Sequence, residues 1–465
     1  SVSMSPFVGP SYTLEVGKAS QARSVNMHLV AMETPAKAQY IMRKVPGLEA
    51  CAGSIDSPAR GCYATHDRAF VVGGAKLYEF NSGGTVLERG ALASSTGNVS
   101  MASGHTQLVI VDGPRGYVLT LATNAFVQIT DTDWPGADQV EFLDGFFIFT
   151  RESSEEVYVS AIDDATSIDA LDFASAESYA DPVMAVAVRS REVILLGSGS
   201  TERFFNSGGA DYPFSRDNAA LAEVGILAPW SVGRLDNSLM WVGRDRNGDG
   251  MVLRDVDRSP RRISTSAVEE ALRDSSDLAE AVAYTYQVGA QAFYCINAPG
   301  LDATWCYEVS TGTWFEACDL DGLGQFEPLR LTHAMYAFGE SWGFDAMGNC
   351  YRITRDAYTF AGDVIKCSRI SPNDVTPLRD EQFYAEFVLD CTTGESAQGA
   401  DPVVELSWSN NGGKTFGNKL ARSYGPVGEF HPRLVWRRLG QARDRVWRVD
   451  FAGDAPFAIV HAAVA

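Results

Sequence analysis

The sequence predicts an all-β protein: a β-propeller of roughly seven blades (six to eight fit the spacing), with an N-terminal arm and a C-terminal β module. Three observations carry this. A short apolar strand, a Gly or Asp/Asn turn and a second strand recur roughly 30–55 residues apart, the range of four-stranded blades. Glycine is abundant, at 43 residues, and aromatics reach 11%, as many strands joined by tight turns require. Helical signals are few.

Residues 1–45 read as an extended arm, of the kind that ties down a neighbouring subunit or closes a ring. The propeller is expected over 46–368. Its clearest units are Leu108-Val109-Ile110-Val111-Asp112-Gly113, Phe142-Leu143-Asp144-Gly145-Phe146-Phe147-Ile148-Phe149, Val193-Ile194-Leu195-Leu196-Gly197 and Leu239-Met240-Trp241-Val242-Gly243. A short helical insertion is expected near 266–283, because Ser266 and Glu269 have capping-box spacing. Residues 369–382 hold Pro372, Pro377 and Arg379-Asp380-Glu381 and read as a linker. Residues 383–465 form the C-terminal β module.

That module carries the most specific local pattern. Ser409-Asn410-Asn411-Gly412-Gly413-Lys414-Thr415-Phe416 lies between two alternating runs and reads as a hairpin tip. It resembles the Asp box of sialidases and related propellers, with Asn411 in place of Asp. Asn411 can bond the local backbone, Gly412 and Gly413 can take positive φ, and Phe416 can pack beneath the turn. Sialidases carry several such boxes, three sugar-gripping arginines and a Tyr–Glu pair. This chain shows one box, so a structural turn is the preferred reading. A glycan-binding or sialidase-like propeller acting on host polysaccharide is the alternative.

Composition narrows the function. With 45% hydrophobic and 21% charged residues over 465 positions, the chain is globular. No apolar run approaches membrane-spanning length. The start Ser1-Val2-Ser3-Met4-Ser5-Pro6 shows no secretory signal and fits a removed initiator Met. The eight cysteines form no Cys-x-x-Cys and are expected as buried small hydrophobes of a protein made in a reducing cytoplasm. The net charge of −21 argues against sequence-independent DNA affinity. The charge is uneven: residues 414–448 hold nine basic groups against Glu429 and Asp444, so that segment is +7 and the remainder −28. Arg433, Arg437, Arg438, Arg443 and Arg445 are therefore interface candidates. Around Trp447 the alternation favours arginines that are simply the wet faces of strands, with contact to an acidic partner as the alternative.

Asp245, Asn247 and Asp249 open like a calcium loop, Asp-x-Asn-x-Asp-Gly. Position twelve is Val256 rather than Glu and the flanks read as strands, so an Asx-rich hairpin is preferred and no metal or cofactor is assigned. No Gly-x-Ser-x-Gly elbow, Walker loop or His-Glu-x-x-His occurs, and no catalytic residue is assigned. Trp305 and Trp314 suggest a sugar-stacking pair, but read better as the core of one hairpin closed at Thr311-Gly312.

An ordered set of phrases carries a family resemblance. They include Gln21-Ala22-Arg23-Ser24-Val25-Asn26, Val45-Pro46-Gly47-Leu48, Gly116-Tyr117-Val118, Phe142-Leu143-Asp144-Gly145, Tyr212-Pro213-Phe214, Leu235-Asp236-Asn237-Ser238 and Trp436-Arg437-Arg438-Leu439-Gly440. Together they resemble the packaged-DNA stabilisation proteins of short-tailed bacteriophages, the tail hub or nozzle. The resemblance implies a hexameric ring in the virion tail, below the portal and its adaptor. It further implies contacts to a tail needle and to tailspikes or fibres, with double-stranded DNA retained and then conducted. The physics agrees on one point: a tunnel that passes duplex DNA should not bind it, and six copies of −21 make −126 formal charges. The lumen is expected to be acidic or neutral, with the arginine-rich module turned toward subunit or adaptor contacts.

Overall fold

The structure is a computed structural model, and it describes residues 7–13, 21–33, 38–151, 153–175, 181–209, 212–244 and 247–465. Seven four-stranded antiparallel blades form the propeller. The first spans Ala59–Thr65 to Val86–Ala91, the second Ser100–Ser103 to Phe126–Gln128, and the third Gln139–Leu143 to Asp164–Ser175. The fourth runs from Val183–Arg189 to Phe214–Arg216, the fifth from Gly233–Leu235 to Ser259–Arg262, and the sixth from Val282–Val288 to Thr313–Leu320. The seventh takes Leu331–Ala337, Glu340–Asp345 and Asn349–Thr354 from one end of the chain. Its outer strand, Gly47–Ser54, comes from the other, and this exchange closes the ring.

The second strand of each blade shows why the chain reads as continuous apolar runs. Side chains alternate between the two faces of a strand, and here both faces are covered. Leu108 and Ile110 pack with Phe70 and Val72 of the blade before, whereas Val109 and Val111 pack with Phe147 and Phe149 of the blade after. Ile194 and Leu196 likewise meet Leu239 and Trp241 of the next blade. Two-residue turns with positive φ at both positions join first to second strands, as at Asp144-Gly145 (φ 51° and 92°) and Asp236-Asn237 (φ 49° and 50°). Their twist matches that of the flanking strands. Between blades four and five a buried ion cluster sits beside this apolar packing: Asp255 pairs with Arg203 and Arg189, and Arg203 also reaches Glu192 at 3.1 Å.

The insertion is a helix, Ser266–Arg273, followed by a single 3-10 turn at Leu278–Glu280. Its N-cap is Thr265, one residue earlier than the sequence spacing suggests; Thr265 Oγ1 accepts from Val268 N. Glu269 bonds Ser264 and Arg262 rather than closing a capping box. Val268 and Leu272 cover the packing between blades five and six.

The C-terminal module is a sandwich. One sheet orders Lys366–Ile370, Val446–Ala452, Val403–Ser409 and Leu420–Ser423; the other holds Ala458–Val464, Glu386–Cys391 and Leu434–Arg437. Its core includes Phe387, Leu406, Trp436, Trp447 and Phe451. The first 45 residues differ from the expected extended arm wherever they are described. Gln21–Val25 joins the first sheet beside Lys366–Ile370 and also touches blade six, while Met27–Ala31 and Tyr40–Lys44 extend the second. Strand 366–370 likewise belongs to the sandwich, so the chain has already entered it where the linker was expected. Arg369 is fully buried there. It donates to the carbonyls of Phe7 (2.7 Å) and Pro10 (2.8 Å), and burial pushes it down to about 9. That contact holds the first described segment against the sandwich.

Candidate functional site

The innermost strands of all seven blades line one axial cavity of about 400 Å³. Glu141 and Arg234 form an ion pair on its wall. Burial raises the Glu141 carboxyl, and Arg234 opposes that shift. His333 lines the same space, pushed down to about 4 by desolvation. The cavity could hold a small molecule. Its volume is that of a ligand-sized space.

The basic segment divides into engaged and free side chains. Lys419 pairs with Glu405 and Asp450, Arg448 with Asp450, and Arg422 bonds the Val435 carbonyl. Arg445 is a correction: it is 1% exposed and cannot serve a surface contact. It donates to Leu439 O at 2.7 Å and Asn410 Oδ1 at 3.0 Å, and lies over the rings of Tyr384, Trp408 and Trp447. Such an aromatic cage compensates a buried guanidinium. Arg433, Arg437, Arg438 and Arg443 are exposed. Arg437 reaches Glu386 at 3.3 Å, an exposed pair of small worth.

Sequence reasoning missed the apolar neighbours of these arginines. Leu378 is 84% exposed and Phe383 78%, with Val375 nearby in the chain. Phe383 pairs with Gln441 across a short ladder, and Arg443 approaches the Arg379 carbonyl at 3.5 Å. Aromatic and arginine side chains side by side are the composition of interface anchors. The signal was present, but the charged Arg379-Asp380-Glu381 run read as a linker.

The hairpin tip is built as its residues suggest. Asn411 Oδ1 accepts from Thr415 N at 3.0 Å, Asn411 Nδ2 donates to Thr415 Oγ1 at 2.7 Å, and Ser409 Oγ accepts from Gly413 N at 3.0 Å. Gly412 and Gly413 have φ of 73° and 83°. Phe416 is half-buried, with the Arg448 guanidinium 5.5 Å over its ring. The polar side chains of Ser409, Asn411 and Thr415 are spent on the turn.

Of the calcium-loop candidates, Asp245 lies outside the described residues. Asn247 and Asp249 sit on the turn between Ser238–Arg244 and Gly250–Val256. Among the described residues no three metal-ligating side chains gather. Asp255, beside the loop's twelfth position, is held by the ion cluster described above. Trp305 and Trp314 are buried in blade six, where Glu308 accepts from the Thr311 backbone at 2.7 Å to close their hairpin. All eight cysteines are free thiols, six of them buried.

Two family patterns match the chain in tandem. The one described as bacteriophage P22 Gp10, beta-propeller, covers residues 8–346, and the one described as bacteriophage P22 Gp10, beta-sandwich, covers residues 376–465. The chain belongs to the P22 Gp10 family. It is thus a packaged-DNA stabilisation protein of short-tailed phages, a structural component of the virion tail that assembles with other virion parts. No curated protein matches it. Among solved structures, the extracellular domain of a one-component system from B. thetaiotaomicron aligns at TM-score 0.42 and 8% identity, over 66% of this chain and 39% of that one. The WD40 propeller of Doa1 aligns at 0.42 and 10%, over 66% and 96%. YCF48 bound to D1 peptide aligns at 0.42 and 13%, over 70% and 98%. At these scores the likenesses say nothing about function.

Proposed function

We propose that this Gp10-family chain is the hub or nozzle of a short-tailed phage. Synthesised in the bacterial cytoplasm, it assembles as a homohexameric ring below the portal and adaptor. The ring retains packaged DNA, conducts it during ejection and anchors the tail needle and the tailspikes or fibres. The observation that carries this reading is the tandem match of both domains, 8–346 and 376–465, to one structural family. Charge supports it: at −21 the chain repels a phosphate backbone instead of gripping it. The small axial cavity is consistent with a duplex that passes between chains rather than through a propeller. The glycan-binding or sialidase-like alternative is not favoured by that family match.

The subunit contact we propose joins Leu378, Phe383, Arg438 and Arg443 of one copy to the acidic propeller of the next. The +7 segment and the −28 remainder are complementary. The double variant Arg438→Glu, Arg443→Glu tests it, because both side chains are exposed and neither forms an ion pair among the described residues. The expected result is a normal circular-dichroism spectrum and unfolding midpoint, with loss of the protein from purified tails. Wild-type incorporation of the variant would contradict the contact.

A further inference from the structure

Where the N-terminal hairpin, the end of the propeller and the sandwich meet, a pocket of about 220 Å³ opens. Its wall includes Arg43, Arg355, Tyr358, Thr392 and Glu395. Arg355 donates to Lys44 O at 2.8 Å, to His28 Nε2 at 2.9 Å and to Gln291 Oε1, none of which is an anion. Arg43 is exposed, and among the described residues its guanidinium forms no hydrogen bond or ion pair. The remaining cation on the wall, Lys44, spends its Nζ on the carbonyls of Gly453 and Ala455. Burial first, and the Arg43 charge second, push Arg355 down to about 10. The two guanidiniums thus repel each other across a partly dry space. Elsewhere in this acidic chain arginines such as Arg68, Arg203, Arg330 and Arg352 are matched by carboxylates.

We propose that this pocket binds a small oxyanion of the phosphate class, held between Arg43 and Arg355 with the Tyr358 and Thr392 hydroxyls as further donors. Guanidinium forks suit such an anion, and a tetrahedral group can use donors from several directions. The occupant removes the repulsion and clips three separate parts of the chain together. Glu395 lies on the same wall and opposes any anion, which weakens the affinity.

Thermal unfolding of the full chain, in sodium phosphate against sodium chloride at matched ionic strength, tests the site. Phosphate should raise the midpoint saturably, as a ligand specific to the folded state does. Arg43→Gln should abolish the shift without lowering the chloride midpoint, since it also removes the repulsion, and Glu395→Gln should enlarge the shift. The ³¹P resonance of inorganic phosphate should broaden with the wild type and not with Arg43→Gln. No shift, or an equal shift in wild type and Arg43→Gln, means a general salt effect only and overturns the proposal.

Discussion

Asn26 and Cys318 bond each other twice. Asn26 Nδ2 donates to the Cys318 carbonyl at 2.9 Å, and Cys318 N donates to Asn26 Oδ1 at 2.8 Å. Asn26 is fully buried, with φ of 56°, between the strands Gln21–Val25 and Met27–Ala31 that enter opposite sheets of the sandwich. Cys318 belongs to blade six. A single side chain therefore mimics a strand partner and joins propeller to sandwich. It also reaches the Lys366 carbonyl at 2.9 Å.

Asn26→Ala removes these bonds and sets a Cβ-bearing residue without Asn's tolerance for positive φ. Each buried group left unpaired costs about 1–3 kcal/mol. Urea unfolding should show an unfolding free energy lowered by several kcal/mol, or propeller and sandwich transitions that separate. Asn26→Gly, which restores the backbone but not the bonds, should recover only part of the loss.

His28 gives the stability a pH dependence. Its Nδ1 donates to Leu29 O at 3.1 Å, which leaves Nε2 to accept from Arg355. Burial, followed by the Arg355 charge, pushes it down to about 3. The unfolded chain protonates near 6.5. Stability is therefore full above about pH 6.5 and falls with pH below it, by roughly 1.4 kcal/mol per pH unit, until the folded form titrates. His333, which desolvation holds down to about 4, adds a similar slope over the shorter window from about pH 6.5 to pH 4. Urea unfolding between pH 8 and pH 4 should show this decline, and His28→Gln should remove about half of it.

The Asp-box-like turn is predicted to be a clip without chemistry. Asn411→Ala loses the bonds to Thr415 and should cost about 1 kcal/mol, read as a shift of the urea midpoint. Asn411→Asp keeps the acceptor and should stay near wild type. A sialoside hydrolysis that disappears in Asn411→Ala while the fold survives would contradict this reading.

Much of the propeller was legible because blade strands are buried on both faces. Leu108-Val109-Ile110-Val111 is apolar throughout, and turns such as Asp144-Gly145 punctuate it. The N-terminal strands were not legible. Their partners lie far away in the chain, as Asn26 and Cys318 do at 292 residues apart, and no local pattern encodes such a bond. The hairpin tip was readable to the residue, because its bonds are local. The arginine cluster was only half readable: charge marks Arg445 and Arg438 alike, and only the aromatic cage separates the buried one from the exposed one.

The central claim is that this chain forms a ring through which DNA passes without being bound. Cryo-electron microscopy of the intact virion tail tests it most directly. The account predicts six copies below the portal and adaptor, with an acidic or neutral lumen and Arg433, Arg437, Arg438 and Arg443 turned toward neighbouring subunits or the adaptor. Absence of the chain from that position, or a lumen lined by these arginines, would contradict it.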